Sequence, residues 1–382
     1  HTIRPRRRAN ILCHGGRPVM ANVLEVVNPG PLATLQDLGR PGWMKYGVPP
    51  SGALDQEGLA VANLLAGNPE GAPGIEITYG NFRARALAPL AAACAGAWAP
   101  IQVDGVPVLP WAAFSVAPGQ VVSIGAPVWG MRLYLAVGGG IAAQPVMGSV
   151  STYIRGALGG IDGQGRALRA GDIITTPDPP ASPRAPVAPA GSVTARAVAA
   201  LARRQAAFTS AHSPASATAS AIASASARHA IAIRVVMGPQ DDHFTDAGRR
   251  TFAREEFTLT SKADRMGLRF EGPAIEHARG ADIISDGMPP GAIQIPGDGV
   301  PIIMLADRQT TGGYPKIACV ARVDLDLLAH LRPGDRVRFV PLSAQNAHEA
   351  LKQEQVASGA PGRALRIRID GIEHVVALFE LE

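Results

Sequence analysis

The sequence predicts a mainly β protein of short strands and a few short helices. Three observations predict it. Glycine (43) and proline (33) are abundant and spread along 382 residues, which favours many turns over long helices. Apolar runs of three to seven residues recur about every ten residues, between turn signals such as Asp104-Gly105, Pro118-Gly119 and Ala170-Gly171-Asp172. Apolar residues make up 47% of the chain, enough for more than one core.

Residues 1–21 hold Arg-Pro-Arg-Arg-Arg and no apolar core, so they read as a disordered leader with the natural start near Met20, not a secretory signal. Residues 22–178 form the first expected domain. Val23–Val27 reads as a strand closed by Asn28-Pro29-Gly30. Ser51-Gly-Ala-Leu-Asp55 opens a helix with apolar positions at Leu59, Ala62, Leu65 and Ala66, and Gly67 stands where a C′ glycine belongs. Strands follow at Gly74–Thr78, Ile101–Val103, Val121–Ile124 and Met131–Val137, a cadence that suits a barrel or a sandwich.

Residues 179–229 are rich in Ala, Ser and Pro and poor in large apolar side chains, so they read as a linker or surface insertion. Val198–Phe208 alone within them has helical character. The second expected domain, 230–342, has a strand at Ile231–Met237 and a helix over Phe244–Arg254 capped by Thr245 or Asp246. A helix at Asp324–Leu331 and a strand at Arg336–Val340 follow. Both domains close on a similar turn, Leu168-Arg-Ala-Gly-Asp172 and Leu331-Arg-Pro-Gly-Asp335. Residues 343–382 carry a helix (Ala344–Val356) and a hairpin, Leu365–Ile369 with Ile372–Leu378, turning at Asp370-Gly371.

Composition also excludes. Net charge is +5, but the basic residues are scattered and lysine is confined to positions 45, 262, 316 and 352, which speaks against a nucleic-acid footprint. No apolar run reaches membrane-spanning length. Cys13, Cys94 and Cys319 lack metal spacing and cannot all pair, which fits a reduced, cytoplasmic setting with no metal site. No G-x-x-x-x-G-K-[ST] loop is present. The Gly138-Gly-Gly140 run opens no dinucleotide fold, and Met44-Lys45 lacks the frame of a biotinylated lysine.

Three polar, glycine-rich stretches remain. Thr34–Arg40 leads into Gly47–Asp55, Ser285–Pro296 follows later, and Asp307–Lys316 lies between two apolar runs, Ile302–Leu305 and Ile317–Val320. Glycine lets a ligand approach the backbone and meet its N–H groups. Asp286, Gln294, Asp307, Gln309, Thr310 and Lys316 together suit a small polar acid or amide. Lys316 can hold a carboxylate or phosphoryl oxygen, and Asp286 or Asp307 can act as base or orient an amide. Hairpin turns use the same residues, so chemistry alone leaves both readings open.

Several words in fixed order resemble one family. They are T-L-Q-D-L-G-R with G-V-P-P-S-G-A-L-D, A-N-L-L-A-G-N, Y-L-A-V-G-G-G-I, S-K-A-D-R-M-G-L-R, S-D-G-M-P-P-G-A-I-Q-I-P and D-R-Q-T-T-G-G-Y-P-K. The resemblance is to the allophanate hydrolase subunit 2 family, also described as biotin-dependent carboxyltransferase-like proteins. It includes the C-type subunit of the ATP-dependent 5-oxoprolinase, the antagonist of a sporulation-kinase inhibitor, and part of the carboxyltransferase region of urea carboxylase. It implies two cyclophilin-like β-barrel domains and a place in a complex with a subunit 1-type B partner and an A-type partner. That complex opens 5-oxoproline to glutamate with ATP; where ATP binds is left open, and no covalently bound cofactor is expected. Asp286, Asp307 and Lys316 are then the catalytic candidates. Gln294, Gln309, Thr310, Gly312, Gly313, Tyr314, Arg40, Ser51 and Asp55 are the substrate-binding candidates. Two alternatives share these motifs: a non-catalytic regulatory partner of a subunit 1-type protein, and a urea carboxylase-like carboxyltransferase component. The long insertion and the basic leader depart from the family pattern and leave the spacing of the barrels open.

Overall fold

A computed structural model describes residues 20–177, 191–209, 230–357, 364–369 and 372–377. The expected leader (apart from Met20 and Ala21), most of the insertion and the Asp370-Gly371 turn lie outside these residues. Ala21, placed in the leader by the sequence, is the first residue of a strand.

The first half runs β1 (Ala21–Asn28), β2 (Leu32–Gln36), α1 (Gln56–Leu65), β3 (Gly74–Thr78), β4 (Phe82–Ala86) and β5 (Leu90–Trp98). It continues through β6 (Ile101–Val103), β7 (Val106–Val108), β8 (Ala113–Val116), β9 (Val121–Ile124), β10 (Trp129–Val137) and β11 (Ile173–Thr176). Two sheets result, ordered β11-β1-β4-β9-β6-β7 and β2-β3-β10-β5-β8. Val23, Leu24 and Val26 of the first share one buried core with Leu35, Ile75, Ile77, Leu133 and Leu135 of the second.

Helix α1 starts one residue after Asp55, whose side chain accepts from the Gly58 N–H as an N-cap. Gly67 follows its end at φ +82°, a conformation that suits glycine.

The helix in the insertion is longer than its sequence suggested. α2 covers Gly191–Thr209, and it is no surface linker: Ala197, Ala200, Leu201, Arg204 and Phe208 are buried. Its apolar face packs with Leu59, Val61, Trp98 and Tyr134, and Phe208 joins the core of the second half.

The second half comprises β12 (Ile231–Met237), α3 (Asp246–Arg254), β13 (Phe257–Leu259), β14 (Gly267–Glu271), β15 (Asp286–Gly287), β16 (Ala292–Gln294) and β17 (Ile302–Met304). Then come β18 (Thr311–Gly312), β19 (Lys316–Val320), α4 (Leu325–Leu328) and β20 (Arg336–Leu342). Seven of these strands close into a barrel, β12-β19-β16-β17-β14-β13-β20, while β15 and β18 form a separate two-stranded ribbon. Phe252, Phe257, Phe270 and Phe339 fill the interior. The Thr245 hydroxyl caps α3. The expected helix at Asp324–Leu331 shrinks to a 3-10 turn, Arg322–Asp324, followed by the single turn of α4. Beyond the barrel, α5 (Ala344–Ala357) is followed by paired β21 (Ala364–Ile369) and β22 (Ile372–Ala377).

The repeated Leu-Arg-x-Gly-Asp turn is built alike in both halves. Asp172 accepts from the Arg169 N–H at 2.7 Å, and Asp335 accepts from the Arg332 N–H at 2.8 Å. Gly171 and Gly334 have φ of 88° and 91°. The mainly β expectation holds. The hairpin reading of Asp307–Lys316 does not. β17 and β19 do not pair with each other; both flank β16. Each is antiparallel to β16, so they run parallel to each other, and the polar segment passes from one end of the barrel to the other instead of turning a hairpin.

Candidate functional site

Lys316 opens β19 and faces Gln294 across the β16 pairing, where a bulge after Ile293 shifts the register. Both side chains are turned inward, at 3% and 2% exposure. The Lys316 ammonium lies 3.1 Å from Asp286 Oδ2, yet no directed hydrogen bond satisfies it. Gln240, in the Gly238-Pro239 turn after β12, accepts from the Lys316 N–H at 3.2 Å and donates toward Asp286 Oδ2 at 3.4 Å. Asp286 Oδ1 accepts from the Gly287 N–H at 2.7 Å. The Lys316 ammonium against it holds Asp286 below the usual carboxylate range.

Gly312 sits at the centre. A Cβ there would collide with Met288 and stand 2.6 Å from Gln294 Nε2 and 3.0 Å from Gln309 Nε2. Glycine lets these three side-chain ends close on the backbone. Gln294 Nε2 donates to the Tyr314 carbonyl at 3.3 Å. Thr310 accepts from the Met288 N–H at 3.0 Å, and Gly313 accepts from the Ile283 N–H at 2.8 Å. Lys316, Gln294, Gln309, Gly312, Gly313, Tyr314, Thr310 and Asp286 thus come together as one donor-rich cluster with a single carboxylate.

Four predicted residues go elsewhere. Asp307, Arg40, Ser51 and Asp55 line the seam between the halves. Both Asp307 oxygens are taken by Arg265, at 2.9 and 3.3 Å. Arg265 also donates to Glu76 at 2.6 Å and to the Gly52 carbonyl at 2.6 Å. Glu76 accepts from Tyr134 at 2.8 Å, and the Tyr134 hydroxyl accepts from the Asp55 N–H at 2.8 Å. Burial opposes charge on Glu76, but Arg265 and Arg132 outweigh it and hold its pKa down. Asp307, read from the sequence as a candidate base, is thus placed at the seam and paired with Arg265. Asp286, paired to an ammonium and shifted toward the ionised form, is likewise poorly suited to a general base near neutrality.

Asp55, read from the sequence as a substrate-binding candidate, is enclosed at the seam. It has no exposed surface; Arg204 and the Gly58 N–H hold Oδ1, and His330 Nε2 lies 2.8 Å from Oδ2. It is a junction of α1, α2 and the second half, closed to any ligand. Arg40 and Ser51 stay open to a role: Arg40 Nη1 and Ser51 Oγ are buried without partners. Arg40 binds the Ser151 carbonyl through Nη2. Ser51 has φ 56°, a strained position for a non-glycine residue, and its N–H donates to the Ala306 carbonyl at 3.1 Å.

A cleft of ≈ 600 Å³ opens between Asp37 and the 141–150 loop. It is less suited to chemistry, because Asp37 is saturated by Ser149, Ser151, Gly39 and Val150 at 2.5, 2.5, 2.8 and 2.8 Å. Among the described residues no group of three His, Cys, Asp or Glu side chains is placed to hold a metal, and no helix is long and apolar enough to cross a membrane.

Sequence reasoning missed Gln240, Arg265, Glu76, Arg204 and His330. Gln240 had a signal in the Gly-Pro turn before it, and Arg265 lies inside a family word. Arg204 had none, since its alanine-rich surroundings look like linker.

The Asp55 junction makes a testable prediction through its neighbour Asp326. Burial and the Asp55 charge raise Asp326 to about 6, above the roughly 3.9 of a free aspartate. The native state then binds the proton more tightly than the unfolded chain, so stability is gained as pH falls from about 6 toward 4 and forfeited above it. Asp326→Asn is expected to raise the melting temperature at pH 8, with the advantage closing near pH 4. A scan showing the variant less stable at pH 8 contradicts this.

The fold is that of a carboxyltransferase-type protein. The family model for the carboxyltransferase domain, subdomain A and B, matches residues 46–341, and the chain belongs to that family. Among relatives, the C-type subunit of 5-oxoprolinase from Escherichia coli (strain K12) is 32% identical over 333 residues, 87% of this chain and 96% of the relative. The urea amidolyase of Lachancea kluyveri is 30% identical over 347 residues, 87% of this chain but 18% of the relative. The crystal structure of the K. lactis urea amidolyase superposes with a TM-score of 0.72 at 25% identity, covering 88% of this chain and 20% of that one. The family resemblance read from the motif words holds.

Proposed function

We propose that the chain is the C-type subunit of a cytoplasmic, ATP-dependent complex that opens 5-oxoproline to glutamate, acting with a subunit 1-type B partner and an A-type partner. One observation carries the reading: the match to the 5-oxoprolinase C-type subunit runs over 96% of that relative, whereas the urea amidolyase match covers 18% of a much longer protein. The Lys316 cluster supports it chemically. An acidic lactam needs its carboxylate neutralised and its carbonyl oxygen stabilised as charge builds. Lys316, the Gln294 and Gln309 amides and the Gly312-Gly313 backbone offer a buried cation and neutral donors. Arg40 and Ser51, buried with unpartnered atoms at the seam, are proposed as a second, separate binding point.

The test is co-expression with A- and B-type partners and measurement of glutamate formed from 5-oxoproline and ATP. An assembled complex that releases glutamate supports the proposal; one that assembles and makes none defeats it. A carboxyltransferase reading is favoured by the fold likeness to urea amidolyase. It requires a separate biotinylated protein, which streptavidin blotting of the purified complex would reveal. A regulatory binding role predicts assembly with the B partner and no turnover.

A further inference from the structure

The ion pair in the cluster is unequal. Lys316 is buried and cannot leave, whereas Asp286 is 54% exposed. A buried cation is normally matched by partners buried with it. Here its counter-ion stands on β15, a strand of two residues held to β18 by the Asp286–Gly312 and Gly287–Thr311 pairs. The chain around it is solvated, and the Ile284 side chain is 95% exposed. The backbone is tied further by the Ile283 N–H to the Gly313 carbonyl and the Met288 N–H to the Thr310 carbonyl, so what can give way is the exposed Asp286 side chain, by rotating into water.

We propose that the Lys316 cluster is a carboxylate-binding subsite in which Asp286 is the resident carboxylate, displaced by the carboxylate of a small organic acid. The donor set fits a monoanion. One ammonium is accompanied by two neutral side-chain amides, Gln294 and Gln309, whose Nε2 atoms close on Gly312 where a Cβ would otherwise stand. A phosphate dianion would meet one cation only. Gln240 serves both occupants: its carbonyl is fixed by the Lys316 N–H, and its amide, 3.4 Å from Asp286, can follow either carboxylate. Asp286 is held ionised by Lys316, so it competes as an anion. The inference rests on the proposed site and names the group that site would recognise.

The experiment is calorimetric titration of the full chain with sodium butyrate, 5-oxoproline, the neutral amide of 5-oxoproline and inorganic phosphate. Butyrate and 5-oxoproline should bind wild type weakly and Asp286→Asn about tenfold more tightly, since an internal competitor has been removed. Lys316→Met should bind neither, while its unchanged unfolding midpoint shows that it folds. The neutral amide should not bind. The proposal is overturned if Asp286→Asn binds the acids no more tightly than wild type, if Lys316→Met binds them normally, or if phosphate binds best. Butyrate following this pattern without 5-oxoproline binding keeps the subsite and removes 5-oxoproline as its ligand. Turnover by the complex without carboxylate binding removes the subsite and leaves the proposed function standing.

Discussion

Lys316→Met, assembled with A- and B-type partners, is expected to lower kcat/KM for 5-oxoproline by about 100-fold, the scale on which loss of one well-placed charged donor is felt. Methionine fills nearly the same slot beside Gln294 without the charge. The carboxylate it strands, Asp286, is half in water and is simply hydrated, so the unfolding midpoint should hardly move. Steady-state kinetics then separate two roles. A loss in KM with kcat intact means that the ammonium holds a group unchanged by the reaction, as the carboxylate subsite requires. A loss in kcat means that it meets charge developing at the lactam. Lys316→Arg is not expected to rescue either, because a planar guanidinium on a buried stem cannot place its charge where the compact ammonium stands. Normal turnover by the methionine variant would remove Lys316 from the chemistry and favour a purely regulatory role.

Much of the scaffold was legible because its strands announce themselves locally. Gly74–Thr78, Ile101–Val103 and Val121–Ile124 appear at the predicted bounds, each an apolar run closed by turn residues. β5 was not legible. Its sequence, Leu-Ala-Ala-Ala-Cys-Ala-Gly-Ala-Trp, has weak strand propensity, and pairing with β10 and β8 decides its conformation. β2 was hidden for the opposite reason: its Thr34 and Gln36 are polar yet fully enclosed, and so they read as loop.

The site shows the same division. Residue types announced which groups could bind a polar ligand, and Lys316, Gln294 and Gly312 do converge. Which carboxylate belongs with them was not local information. Asp55, Asp286 and Asp307 look alike in sequence, and the structure sends each to a different place. The decision lies with arginines far along the chain. Arg204 comes to Asp55 from 149 residues away and Arg265 to Asp307 from 42, and neither distance can be read from spacing.

The second large effect is expected at Arg265. Arg265→Met should cost about 3–5 kcal/mol of stability, because it strands buried carboxylates instead of removing a balanced pair. Glu76 would keep only the Tyr134 hydroxyl, the Leu54 N–H and an ion pair to Arg132 at 3.7 Å, while Asp307 would lose both of its side-chain bonds. Urea denaturation measures the loss directly. Glu76→Gln in the same chain should recover part of it, since a neutral amide in that place no longer demands a cation, and the double-mutant cycle gives the coupling. A loss below about 1 kcal/mol would mean that the seam relaxes or takes in water, and that it is no rigid joint. The consequence for the site follows from connectivity. Arg265 holds Asp307 at one end of the segment whose other end is Lys316. Releasing that anchor should also weaken butyrate binding, although Arg265 makes no contact with Lys316 or Asp286. Stability and binding lost together would show that the seam between the halves positions the donor cluster; stability lost with binding intact would show that the barrel alone suffices.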